Sequence, residues 1–201
     1  MRKRIANILI CLGIFIMLIP LALFLFSVYQ RNVALRSIKA EMATIDSSTN
    51  KVKKVNSIEN DDNNETSENN KYLGIIEIPA IDIELPISDG AELSDIKYAI
   101  GHYTNTAAIG AQGNCVLAGH RGSRFGEFFK HLDKVKQGDQ VIITAMDGTQ
   151  YTYIVDYFTI VEPTDLSVLQ NYSEDSNLTL LTCCYTTKGK KRLIYRCTLK
   201  E

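Results

Sequence analysis

The stretch QVIITAMDGTQYTYIV, residues 140–155, reads as one β-hairpin. Two runs rich in β-branched and aromatic side chains, Gln140 to Thr144 and Gln150 to Val155, flank the pair Asp147-Gly148. An Asp-Gly pair accepts the positive φ angles of a tight hairpin turn, so the chain folds back on itself there. The same texture extends in both directions. Leu73 to Pro79 and Ile81 to Ile87 alternate apolar and polar side chains, with prolines at their edges. Asn114 to Gly119 reads as a short buried strand, and Leu178 to Thr182 and Arg192 to Leu199 as two more. Short helices fit Glu92 to Lys97, Gly126 to Leu132 and Asp165 to Leu169. Many short strands with turns between them predict an all-β domain over 72–201, a closed or nearly closed barrel.

The chain before Tyr72 is of another kind. Residues 1–4 carry Arg2, Lys3 and Arg4, and an apolar run over 5–29 follows with no charge before Arg31. About 20 apolar residues cross a bilayer core, and a cleavable signal has a shorter apolar region ending in small residues. The run ends instead in Phe26-Ser27-Val28-Tyr29-Gln30. It therefore predicts an uncleaved single-pass signal-anchor. The basic cluster favours a cytoplasmic N-terminus and an extracellular C-terminal domain. Arg31, Arg36 and Lys39 on the far side reduce that contrast. Residues 30–71 are expected to form a largely disordered stalk, although Arg31 to Ala43 suits a continuing helix. From Asp46 to Asn70 the chain is crowded with Asn, Ser, Asp, Glu and Lys, too polar to offset ordering entropy by burial.

Composition narrows the function classes. In 201 residues, 22 Lys+Arg balance 23 Asp+Glu, which leaves no electrostatic footprint for nucleic acid. Five cysteines, Cys11, Cys115, Cys183, Cys184 and Cys197, form no C-x-x-C pair and are odd in number. Neither a zinc framework nor a disulfide scaffold fits them, so at least one thiol is expected to be free. A Cys115–Cys197 disulfide has no support in the pattern.

Three residue types stand where chemistry is possible. Cys183 ends the run Thr179-Leu180-Leu181-Thr182, where a thiol is held rigidly yet meets solvent. By pattern alone it is equally a small buried hydrophobe. His120 lies between Gly119 and Arg121-Gly122, and His102 in Gly101-His102-Tyr103 competes with it as the proton-exchanging group. His131, in a predicted helix, reads as a surface residue. Arg192 is expected to open the last strand, and a guanidinium there suits an oxyanion or substrate carbonyls. It reads equally as a solvated charge beside Lys188, Lys190 and Lys191.

Together, Val116-Leu117-Ala118-Gly119-His120-Arg121, Leu178-Thr179-Leu180-Leu181-Thr182-Cys183 and Arg192-Leu193-Ile194-Tyr195 resemble the three signature segments of sortases. The T-L-x-T-C run is the most specific of them. The resemblance covers Tyr72 to Leu199 and implies a sortase-like closed eight-stranded β-barrel with short helices. It implies Cys183 as nucleophile, His120 as acid/base and Arg192 as substrate and oxyanion clamp. It further implies cleavage of an LPxTG-like signal after Thr, through a thioacyl enzyme resolved by a cell-wall amine. Thr182, Leu166, Val168 and Leu169 are the expected substrate-binding residues. The segment Phe158 to Leu166 stands where the family's substrate-recognising loop stands.

The Cys183-to-Arg192 connection is short, no Asp-Pro-aromatic lid motif occurs, and the sequence stops at Glu201. These favour class D over a pilin-polymerising sortase. No cofactor is expected. Glu127, Asp133, Glu162 and Asp165 could serve calcium, but they do not cluster in sequence, so no metal is expected. A papain-type hydrolase is disfavoured because its cysteine precedes its histidine. An anchored, non-catalytic β-barrel binding module remains the rival.

Overall fold

The computed structural model describes residues 2–52, 72–93, 95–122 and 128–200. A long helix, α1 (Arg2–Val52), precedes eight strands: β1 (Tyr72–Ile78), β2 (Ile83–Asp89), β3 (Ile100–His102), β4 (Gly113–Ala118), β5 (Gln140–Ala145), β6 (Gln150–Val161), β7 (Ser176–Thr186) and β8 (Gly189–Leu199). They close into a barrel in the order β1-β2-β3-β4-β7-β8-β6-β5. The pairs β2–β3 and β4–β7 are parallel. The others are antiparallel, and β1–β5 closes the ring. The Asp147-Gly148 hairpin forms as expected, with Gly148 at φ 84° and the Asp147 carboxylate accepting from the Thr149 N–H.

Side-chain alternation sorts the strands into two faces. Leu178, Leu180 and Cys184 on β7, Leu193, Tyr195 and Cys197 on β8, and Cys115 and Leu117 on β4 fill one core with Ile76, Ile87, Ile143 and Tyr153. The intervening residues face outward. There Ala118, Leu181 and Ile194 make a second, smaller cluster with Val168.

Several expectations shift. β6 runs to Val161, so the first part of the expected recognition loop is strand. A register shift between Val155 and Tyr157 breaks the period-two pattern and hides that continuation. Two of the predicted short helices are single 3-10 turns, Asp95–Lys97 and Leu166–Leu169, while the described part of the third, Phe128 to His131, is a turn that leads into a 3-10 turn at Leu132–Lys134. Glu127 lies outside the described residues, as does Gly126.

α1 is long and apolar enough to cross a membrane, with a candidate span at Met17–Ala43. Phe15 and the large side chains from Met17 to Phe26 stand exposed. Past that stretch Ala34 and Ile38, one turn apart, are buried where α1 lies against β1 and β2. Lys39 pairs there with Glu84. The helix continues to Val52, so the beginning of the segment expected to lack structure is helical. The remainder of the expected stalk, 53–71, lies outside the described residues.

Candidate active site

Strand register brings the three signature residues level. Cys183 pairs with Arg192 across β7 and β8. On the other side, β4 pairs with β7 in parallel through Ala118 opposite Leu181. Two hydrogen bonds carry that pairing past the end of β4: Gly119 N–H to the Leu181 carbonyl at 3.0 Å, and Thr182 Oγ1 to the Gly119 carbonyl at 2.8 Å. His120 therefore arrives beside Cys183. The His120 carbonyl is held in turn by the Phe129 N–H at 2.9 Å.

The Arg192 guanidinium donates from Nη1 to Cys183 Sγ at 2.8 Å. A cation beside the sulfur suits the oxyanion that attack creates. Cys183 and His120 line one open cleft of about 350 Å³ with Arg121, Gly122, Lys130, Tyr185 and Lys190. Burial holds the His120 imidazole below the ordinary histidine range, which favours its neutral form. A larger cleft of about 550 Å³ between α1 and β1–β2 includes neither Cys183, His120 nor Arg192 in its lining, so it is not the candidate centre.

The neighbouring residues divide into structural and accessible groups. Cys184 faces the core opposite to Cys183, and burial pushes its thiol up. Cys115 and Cys197 are free and buried, and burial pushes Cys115 up to about 12. Both pair with Leu178 from opposite sides, which puts them two strand spacings apart, about 9–10 Å, too far for a disulfide. His102, the rival histidine, is buried on β3 with Nε2 within 3.0 Å of the Ala107 carbonyl. His131 is exposed, as expected, but lies in a turn and not in a helix.

Of the expected substrate-binding side chains, Thr182 is fully buried and its hydroxyl is committed to Gly119. It ties the nucleophile's strand to the histidine's segment, and a direct side-chain contact with substrate is replaced by that role. Val168 is buried among Ala118, Leu181 and Ile194, so it supports the groove from beneath. Leu169 packs half-buried against the same cluster, and Leu166 is 69% exposed. These three share the 3-10 turn Leu166–Leu169, capped by Asp165 accepting from the Ser167 N–H.

A buried polar network that the sequence reading passed over holds this turn. Asn114 Nδ2 donates to the Val168 and Gln170 carbonyls at 3.0 and 3.1 Å. Thr179 Oγ1 donates to Asn114 Oδ1, and Arg196 Nη1 donates to Thr179, each at 2.6 Å. Arg196 also lies 4.3 Å from the centre of the Tyr172 ring. The signal was present in sequence as period two: Thr179 and Arg196 share the outward face with Cys183 and Arg192. Among the described residues no group of three or more His, Cys, Asp or Glu side chains suits a metal ion.

A family model for the Sortase domain matches residues 76–200. Sortase D of Bacillus subtilis is 32% identical over 130 residues, 63% of each chain, so the chain spans less than two thirds of that relative. Among solved structures, a Clostridium perfringens Sortase D5 transpeptidase superposes with a TM-score of 0.66 at 27% identity, covering 85% of this chain and 98% of that one. Sortase C1 from Streptococcus agalactiae gives 0.60 at 33% identity, covering 65% and 68%.

Proposed function

This chain belongs to the sortase family, and on that premise we propose that it is a membrane-anchored cysteine transpeptidase acting on LPxTG-like sorting signals. The observation that carries the reading is Arg192 Nη1 at 2.8 Å from Cys183 Sγ, with His120 beside it in the segment just past the end of β4. Cys183 is the nucleophile. His120, whose neutral form burial favours, takes the thiol proton as sulfur attacks the Thr carbonyl of the signal. The new S–C bond makes a tetrahedral oxyanion that Arg192 steadies. The scissile C–N bond then breaks, and His120 returns its proton to the departing amine. A neutral acceptor amine attacks the thioester, the C–S bond breaks, Cys183 leaves as thiolate, and the surplus amine proton passes to His120. One difficult amide exchange becomes two acyl transfers.

The exposed apolar surface of α1 supports a single-pass anchor, with the N-terminus cytoplasmic and the barrel outside the cell. The acceptor is then a cell-wall amine of a Gram-positive envelope. Likeness to Sortase D and to the D5 structure supports class D. The donor signal meets the exposed Leu166 and half-buried Leu169 of the 3-10 turn, which rests on the buried Ala118, Leu181 and Ile194.

The test is the full chain in detergent micelles with LPxTG-type peptides and an amine. Thioacyl peptide trapped on Cys183 is expected by mass spectrometry, and Cys183→Ala should lose transfer while keeping the fold. Transfer by Cys183→Ala at the unsubstituted rate overturns the assignment.

A further inference from the structure

The apolar run of α1 ends at Tyr29, and the barrel meets the same helix two residues later. Arg31, Asn32 and Leu35 line the larger cleft with Pro79 and Asp82. Ala34 and Ile38 are buried where the helix lies on β1 and β2, and Lys39 pairs with Glu84. Arg31 stands about 3 Å beyond Tyr29 along the helix axis, within a headgroup layer about 5–8 Å deep. With the run in a bilayer, the barrel is mounted at the membrane surface.

Topology decides which end of the barrel faces the lipid. The turn Pro79–Ile81 joins the end of β1 to the start of β2, so Arg31 marks that end. β5 begins there, with Ile142 opposite Glu77. β6 pairs with the start of β5 through Ile154 and then runs on in the same direction to Val161. Val161 is level with Arg192, and Arg192 with Cys183. The catalytic end and the membrane end are the same.

That end carries a patch suited to lipid. Past Ile154, β6 has β8 on one side and, among the described residues, no strand on the other. Phe158 and Ile160 on this overhang are 57% and 50% exposed. Phe158 stacks on Tyr195, whose hydroxyl donates to the Val135 carbonyl at 3.0 Å. Lys134 and Lys136, both exposed, flank Val135, and Asp133 is already paired with Arg121. Exposed aromatic and aliphatic side chains beside lysine match the bilayer interface, where rings sit at headgroup level. We propose that the β6 overhang, with Phe158 and Ile160 beside Lys134 and Lys136, rests on the lipid headgroups and holds the catalytic end of the barrel toward the bilayer. The inference rests on the single-pass anchor reading and deepens it. A substrate carried by the same bilayer then meets the cleft by diffusion in the plane.

The sequence has no Trp, so a single substitution supplies a fluorescent reporter. Full-length Phe158→Trp, Ile160→Trp and Gln150→Trp are placed in nanodiscs of equal parts phosphatidylcholine and phosphatidylglycerol, with and without bromine high on the acyl chains. Gln150 is exposed at the far end of β6, about 26 Å along the strand from Phe158. Brominated lipid should lower emission from the 158 and 160 variants severalfold and leave the Gln150→Trp variant unchanged. Emission unmoved by bromine at both 158 and 160, in protein retained on the discs, overturns the inference and leaves the anchor standing. A blue shift at those positions without quenching also overturns it, and marks a second copy paired on the β6 edge. Equal quenching at 150 and 158 overturns it as well, because the barrel then has no fixed end toward the lipid. Protein that does not stay with the discs overturns the anchor reading and the inference with it.

Discussion

The two sides of Cys183 are built from the same three strands yet solve different problems. Toward Leu181 and Ile194 the sheet is covered: the 3-10 turn at Leu166–Leu169 lies over it, and Val168 is buried there. Toward Tyr185 and Lys190 the hairpin stands free, and its side chains meet solvent. A covered apolar floor discriminates by shape, because fit and desolvation decide what enters. An open cleft whose rim carries the exposed Lys190 discriminates by charge, with salt dependence. The proposed transfer reaction would draw on both, since a donor must be held in one register while an acceptor only has to arrive unprotonated.

The largest expected effect tests what the two sides share. At Gly119 an added Cβ would lie 2.6 Å from Ile100 Cδ1 and 2.7 Å from Phe129 Cδ2, both on fully buried side chains. Glycine is required there by close approach and not by a positive φ. Gly119→Ala should push the His120 segment off β7 and lower both acylation and aminolysis by about 100-fold, the scale of a misplaced catalytic group. The cost in stability should be about 1–3 kcal/mol, from overpacking. Stopped-flow acylation and denaturant melts check both. Loss of one half-reaction without the other would show that the two sides do not share this histidine.

The next effect separates the sides. Thr179 links Arg196 to Asn114, and Asn114 holds the carbonyls of the groove-covering turn. Thr179→Val keeps the shape but leaves buried donors and acceptors unpaired, at about 1–3 kcal/mol. The donor KM should rise several-fold while the acceptor KM stays unchanged. Equal shifts in both would collapse the division between an apolar donor side and an open acceptor side.

How much of this was legible in advance follows local pattern. The Asp147-Gly148 hairpin and the T-L-x-T-C strand announce themselves by turn chemistry and alternation. The site triad needed the family resemblance, because residues alone left His102 and His120 both open. β3 is three residues long, Ile100–His102, too short for any periodicity to register. β7 and β8 extend beyond their expected limits, to Thr186 and back from Gly189, so Cys183 sits inside a strand and Arg192 does not open one. The polar run Thr186 to Lys190 disguised that extension, since a hairpin tip in solvent has no buried face to show. Thr182 reads from sequence as a contact for substrate because its hydrogen-bond partner across the strands, the Gly119 carbonyl, is not visible there. Its position two residues past Leu180 on the inward face was the available clue.

The smallest effect concerns pH, and it touches the centre where the two sides meet. Burial holds His120 below its ordinary value of 6.5, so the folded protein binds its proton more weakly than the unfolded chain. Stability from this group is complete above about pH 6.5 and declines as pH falls toward the folded value, because the unfolded state takes up the proton first. The group is only part-buried, so the slope should be shallow, and His120→Gln should flatten it in melts between pH 7.5 and 5. Acylation follows the same ionisation with the same sign. The neutral imidazole accepts the thiol proton, so kcat/KM should rise with pH through an inflection below the usual histidine range. An acid limb with its inflection above that range would mean that His120 works from the protonated form, paired with a thiolate beside Arg192. The amine would then be delivered to an imidazolium, and aminolysis should slow together with acylation as pH drops.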